Sequence, residues 1–194
     1  MASEVHPASA PTAWHNGDLR FSGGLVALHW ATLLLLVAAY ACIELRELYP
    51  KGSDPRELLK AWHYGLGVAV LPLTGVRLAL AALAGRQPPV HPVPPRWQRA
   101  AATAVHAALY VFLLAMPVLG WLLLSLKGAS VHLAGLALPP LVGEDRALAK
   151  TVDQVHETLG VAGYWLIGLH AAAALFHHYW QHDDTLRRML PSRR

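Results

Sequence analysis

Charge is what this sequence has least of. Only 14% of its 194 residues are Asp, Glu, Lys or Arg, while 55% are hydrophobic, against about 25% and about 45–50% in an ordinary soluble domain. So few charges cannot clothe a large water-facing surface, which excludes a sizeable soluble catalytic domain, and the mean hydropathy of +0.34 points to a chain that lies in a bilayer. Cysteine is nearly absent too. Cys42 is the only one, excluding an internal disulfide, a multi-cysteine iron–sulfur or zinc cage, and the C-x-x-C-H attachment of c-type haem. A dense basic stripe is also missing: the net charge of +4 is spread over loops and the C-terminal tail, so no nucleic-acid partner is expected.

What is present is length in apolar runs. Four stretches, about 24–45, 61–84, 100–126 and 155–180, each reach the roughly 20 residues a spanning helix needs, and they are too long for barrel strands. The expected fold is an all-α integral membrane four-helix bundle over residues 21–182, preceded by a disordered tail at 1–20 and followed by a basic cytoplasmic tail at 183–194. No Lys or Arg precedes Arg20, and the first apolar run is long enough to span, so a cleaved signal peptide is not expected. The stretch 128–143, broken by Pro139 and Pro140, is too short to span and is expected to be re-entrant or interfacial. Lys and Arg number eight on the side of the termini and seven on the other; the dense tail 187–194 tips the balance towards both termini inside.

Twelve histidines are the unusual feature. Ionisable side chains within spans are costly and mark function by default. His6, His15, His91, His132 and His182 fall in tails or loops; His29, His63, His106, His156, His170, His177 and His178 fall within or near spans. His156 and His170 are 14 residues apart on the last span, just under four turns, so they face nearly one direction about 21 Å apart. In an antiparallel bundle His29 lies level with His170 and His63 with His156. Two imidazoles from facing helices at each of two depths suit two bis-histidine haems, with Gly65, Gly67, Gly160, Gly163 and Gly168 leaving room for flat macrocycles. Histidines that only bond across the bundle, beside glycines that serve helix contact, are the alternative.

The stretch HETLGVAGYWLIGLHAAAALFHHYWQHDDTLRRMLP at 156–191, with ALHW at 27–30, AAYACIELRELYP at 38–50 and YVFLLAMPVLGWLL at 110–123, resembles the bacterial cytochrome b561 family, in particular its superoxide-oxidising branch. The resemblance covers about residues 22–192. It implies two haem b groups held by His29 with His170 and by His63 with His156, the pairs that depth also suggests. It leaves the position of His106 unligated, so His106 is expected to be a neighbour of the cofactor or a partner of its propionate. His177, 7 residues after His170, is expected to face the interior as a hydrogen-bond or proton donor to a quinone, with interfacial His177 and His178 in a polar rim as the alternative.

The resemblance further implies superoxide as electron donor at the periplasmic mouth and ubiquinone as acceptor, in a bacterial inner membrane, with no obligate protein partner. Arg46, Lys51, Arg56, Lys60, Lys127, Arg146 and Lys150 are candidates for steering the anion, although Glu44, Glu47, Asp54, Glu57, Glu144, Asp145 and Asp153 on the same side bring its net charge near zero. Two other functions stand beside this one: a cytochrome b subunit serving a dehydrogenase or hydrogenase, and a histidine-lined metal transporter. The transporter would be expected to carry acids at mid-membrane, whereas the near-span acids Glu44, Asp153 and Glu157 lie at span ends.

Overall fold

A computed structural model describes residues 21–85, 90–133 and 135–190. The tail expected over 1–20, and Arg20, Arg86, Arg193 and Arg194 of the charge comparison, lie outside the described residues. Four long helices dominate: α1 (Gly23–Leu45), α2 (Asp54–Leu83), α3 (Arg96–Leu126) and α4 (Arg146–Tyr179), all long and apolar enough to cross a membrane. The all-α four-helix bundle expected from the sequence is the fold observed.

Three of the four helices begin where local chemistry suits their free amides, whereas α3 has no side-chain cap at Pro95. The Ser22 hydroxyl accepts from the Leu25 amide at 3.4 Å, Pro55 sits in the first turn of α2 with Asp54 and Glu57 against the positive end of the dipole, and Asp145 accepts from the Ala147 and Leu148 amides at 2.9 and 3.0 Å. α2 and α4 start seven and nine residues before the apolar runs do. Their first turns, DPRELLK and RALAKTVD, are polar helix projecting past the hydrocarbon, which a hydropathy window cannot see. At 30 and 34 residues they extend roughly 45 and 51 Å, against a hydrocarbon core of about 30 Å. His63 therefore lies well inside α2 instead of opening it.

Consecutive helices pack side by side. Along α3 and α4 one antiparallel register holds throughout: Met116 meets Gly160, Gly120 meets His156, and His106 meets His170. α1 reaches α4 mainly through side chains, the Tyr40 hydroxyl donating to the Gly160 carbonyl at 2.7 Å and the Tyr164 hydroxyl to Glu44 Oε1 at 2.7 Å.

The two ends of the bundle are closed differently. At the end where α3 turns into α4, the stretch 128–143, expected to be re-entrant or interfacial, contains a β-hairpin, β1 (Val131–Leu133) against β2 (Leu136–Leu138). Gly135 supplies the positive φ of 83° its turn requires. The pairing lets Val131 bury with Val68 and Leu124. At the opposite end, where the chain enters and leaves, residues 183–190 of the segment expected as a basic tail fold back with a short 3₁₀ turn (Arg187–Met189). The Trp30 indole donates to the Met189 carbonyl at 2.7 Å, Asp184 exchanges two hydrogen bonds with the backbone of His91, and the Arg188 guanidinium lies 4.8 Å from the Phe21 ring centre.

Candidate functional site

The bundle brings the four span histidines together as two pairs at opposite ends. The ring centres of His63 (α2) and His156 (α4) are 6.4 Å apart at the hairpin end, and those of His29 (α1) and His170 (α4) are 6.2 Å apart at the terminal end. An iron held by two imidazole nitrogens at about 2.0 Å each would separate the ring centres by about 6 Å. Both pairs have that spacing. His106 does not: its ring centre is 5.2 Å from that of His170, too close for a metal between them, so it stands as a neighbour of the pair.

The rings also keep nitrogens to spare. His63 Nδ1 lies 2.9 Å from the Ala39 carbonyl, a contact that orients the ring and frees Nε2 for another partner. His29 Nδ1 and His156 Nδ1 are buried without a hydrogen-bond partner, the condition expected of side chains built to meet a further group. His156 lies on bare backbone, since a Cβ at Gly120 would come 3.3 Å from its Cε1. Gly67 and Gly168 face open space, whereas Gly163 is filled by the Phe112 ring and the Tyr40 hydroxyl and serves helix contact instead of cofactor room. Among the described residues no group of three or more His, Cys, Asp or Glu side chains is arranged to hold a metal. Two axial imidazoles with the remaining positions supplied by a macrocycle fit this donor set.

Arg77 lies on α2, towards the terminal end of the bundle. In the fold its guanidinium lies 5.7 Å from the Tyr110 ring centre and close enough to His29, His106 and His170 to interact with their charge. It places a cation where a buried acidic group of a cofactor would need one. Tyr40 and Tyr164, with ring centres 4.3 Å apart, and Glu44 form a polar seam between α1 and α4 that no periodicity announced, because its members come from helices distant in sequence.

The seven cations considered for steering do not act as one set. Arg56 bridges Glu47 at 2.8 Å and donates to the Arg46 and Tyr49 carbonyls at 3.0 Å each, which makes it a brace for the α1–α2 connection. Arg46 pairs with Glu47, Lys60 with Glu57 and Lys127 with Asp153, at 2.9, 2.8 and 2.8 Å. Lys51 is exposed in the turn before α2. Lys127, Arg146 and Lys150 together with Asp153 line one open concavity of about 250 Å³ at the hairpin end. Three cations against one acid leave that concavity net positive.

At the terminal end His177 Nδ1 is 2.5 Å from Asp183 Oδ2, while His178 turns to Tyr179, with ring centres 4.8 Å apart. Burial pushes the Asp183 carboxyl up, but the hydrogen bonds from His177 and from Thr185 outweigh it and hold the group below the usual carboxylate range. Sequence reasoning missed Asp183. It lies six residues past His177, across a helix end, where spacing carries no facing information.

The sequence profile of the prokaryotic cytochrome b561 family matches residues 20–192. The chain belongs to that family. It is 41% identical over 175 residues to cytochrome b561 homolog 1 of Escherichia coli (strain K12), covering 90% of this chain and 99% of that protein. It is 36% identical over 169 residues to the probable superoxide oxidase CybB of Yersinia pestis, covering 87% of this chain and 94% of that protein. Cytochrome b561 homolog 2 of Escherichia coli (strain K12) is 30% identical over 131 residues, with 66% and 68% covered. Membership implies b-type haem and membrane electron transfer in a bacterium, in keeping with four spanning-length helices and paired histidines.

Proposed function

We propose that this cytochrome b561 carries two b haems, on His63 with His156 at the hairpin end and on His29 with His170 at the terminal end, and moves electrons from superoxide to ubiquinone. The observation that carries this reading is the pair of imidazole couples, 6.4 and 6.2 Å between ring centres, at two ends of one bundle. The similarity to a relative named a probable superoxide oxidase supports the choice of donor. In this reading the hairpin end faces the periplasm, and both termini lie on the cytoplasmic side of the inner membrane, with no obligate protein partner.

The haems supply reversible one-electron chemistry at iron, and the chain does the rest. His63 with His156, and likewise His29 with His170, would hold each haem iron from both sides, which would leave the iron no open position and would suit outer-sphere transfer from a diffusing donor. Lys127, Arg146 and Lys150 offer a net positive concavity beside the first pair, where an anion gains local concentration. Arg77 sits by the second pair to balance negative charge. His177 lies beyond it, at the mouth where a quinone ring would meet a proton donor. Two superoxide ions lose one electron each to give two O₂, and one ubiquinone takes both electrons with two protons.

The test is haem reduction by superoxide in the purified protein, followed by optical absorption at varied ionic strength, with and without ubiquinone. A rate that falls with salt, drops in Arg146→Gln and Lys150→Gln by up to about 10-fold at low salt, and is followed by reoxidation with quinone is the expected result. A salt-independent rate unchanged in both variants would favour a cytochrome subunit that draws electrons from a docked dehydrogenase or hydrogenase.

A further inference from the structure

The end of α4 turns sharply. His182 adopts a positive φ of 54°, and this reversal carries Asp183 back under the helix, where its amide donates to the His177 carbonyl at 3.2 Å. Its carboxylate then meets the His177 ring at 2.5 Å through Oδ2, while Oδ1 accepts the Thr185 amide at 2.9 Å. The Asp183 side chain is 1% exposed and that of His177 19%. A carboxylate withdrawn this far from water is costly to keep, and an asparagine could accept the same amide. The one thing a carboxylate adds is an acceptor-only partner for an imidazole N–H.

That property fixes the ring. A group that can only accept obliges Nδ1 to carry hydrogen, so the nitrogen on the far edge, Nε2, is the one left for another molecule. Among the described neighbours, Asp184 is bonded to the His91 backbone, and His178 diverges from His177 by about 100° around the helix.

We propose that Asp183 is a positioning residue for quinone reduction, holding the His177 Nδ1 proton so that Nε2 serves as the proton donor to a quinone oxygen; this rests on the quinone reading above. When the quinone has received two electrons by way of the second histidine pair, the Nε2–H bond of doubly protonated His177 breaks and an O–H bond forms on one quinone oxygen. Asp183 keeps Nδ1–H throughout. Water at the mouth protonates the other oxygen and then returns a proton to Nε2. Two electrons and two protons convert quinone to quinol, and His177 ends as it began.

The experiment uses the haem-loaded protein in lipid nanodiscs, with a short-chain ubiquinone as acceptor, for wild type, Asp183→Asn, Asp183→Glu and His177→Ala. Haem content, kcat and KM for quinone are read, together with the His177 tautomer by ¹⁵N NMR of the reduced protein, assigned against His177→Ala. Wild type should show Nδ1–H. Asp183→Asn should keep its haems and a KM within about twofold, lose about tenfold in kcat, and shift the tautomer, with Asp183→Glu recovering part of the rate. An Asp183→Asn protein with wild-type kcat overturns the positioning role, as does an Nε2–H neutral tautomer in wild type, which decides the matter even if the variant fails to fold. His177→Ala reducing quinone at the wild-type rate removes His177 as the proton donor and the positioning role with it, whereas reduced wild-type haems that quinone fails to reoxidise overturn the quinone reading itself, whatever Asp183→Asn does.

Discussion

The hairpin end and the terminal end of this bundle solve the same problem with different materials. Each holds an imidazole pair of near-equal spacing, yet the buried contacts of the hairpin end are neutral, the Trp121 indole to the Pro139 carbonyl at 3.1 Å, the Leu141 amide to the Ser125 hydroxyl at 3.0 Å, and the cluster of Val68, Leu124 and Val131, while its ion pairs, such as Lys127 with Asp153, lie at an exposed rim. The terminal end is closed by buried ionisable groups, Asp183 and Arg188, at 2% and 4% exposure. Neutral buried contacts are indifferent to protons, whereas a buried carboxylate bonded to an imidazole responds to them. Under the proposed function this difference would suit electron entry at the hairpin end and proton handling at the terminal end.

The largest expected effect would break the independence of the two ends. His63→Ala or His156→Ala should remove the haem at the hairpin end and leave the other, and His29→Ala or His170→Ala should do the reverse, so haem per chain falls from two to one by pyridine haemochrome assay in each case. His106→Ala should retain both, since its ring is too close to His170 to share an iron with it. Loss of both haems on removal of any one ligand would show that the ends form one cooperative unit.

Smaller changes sharpen the comparison. Gly120→Val drives bulk against the His156 ring and should cost about 1–3 kcal/mol as overpacking does; it should lower Tm and perturb only the hairpin-end low-spin signal in electron paramagnetic resonance. At the terminal end Trp30→Phe removes the bond to the Met189 carbonyl, worth about 1 kcal/mol, and should raise protease cleavage within 183–190 without touching the hairpin.

The smallest effect is a response to acid. Asp183 has its carboxyl pKa depressed in the folded protein, so the anchorage it gives is present above the ordinary carboxylate pKa and is lost as pH falls through the depressed value. Hydrogen exchange in 183–190 should therefore accelerate only on strong acidification, while exchange in strand 136–138, which carries no titratable side chain, stays at its intrinsic pH dependence. Equal responses at both ends would remove the distinction drawn between them.

Much of this was legible in the sequence. Scarce charge, four long apolar runs and the 14-residue spacing of His156 and His170 determine a membrane bundle with histidines at two depths, because the backbone has no other way to cross lipid and helix pitch alone fixes which residues on one helix share a face. What the sequence could not decide is whatever depends on which helix faces which. That His106 stands nearer His170 than His29 does, that 128–143 pairs as a hairpin over Val68 and Leu124, that Lys127, Arg146 and Lys150 share a concavity while Arg56 is tied to carbonyls, and that Asp183 returns under α4 to meet His177 were all set by the tertiary structure. Each joins residues across a turn or between helices, where relative rotation is settled by packing, and periodicity within one segment carries no record of it.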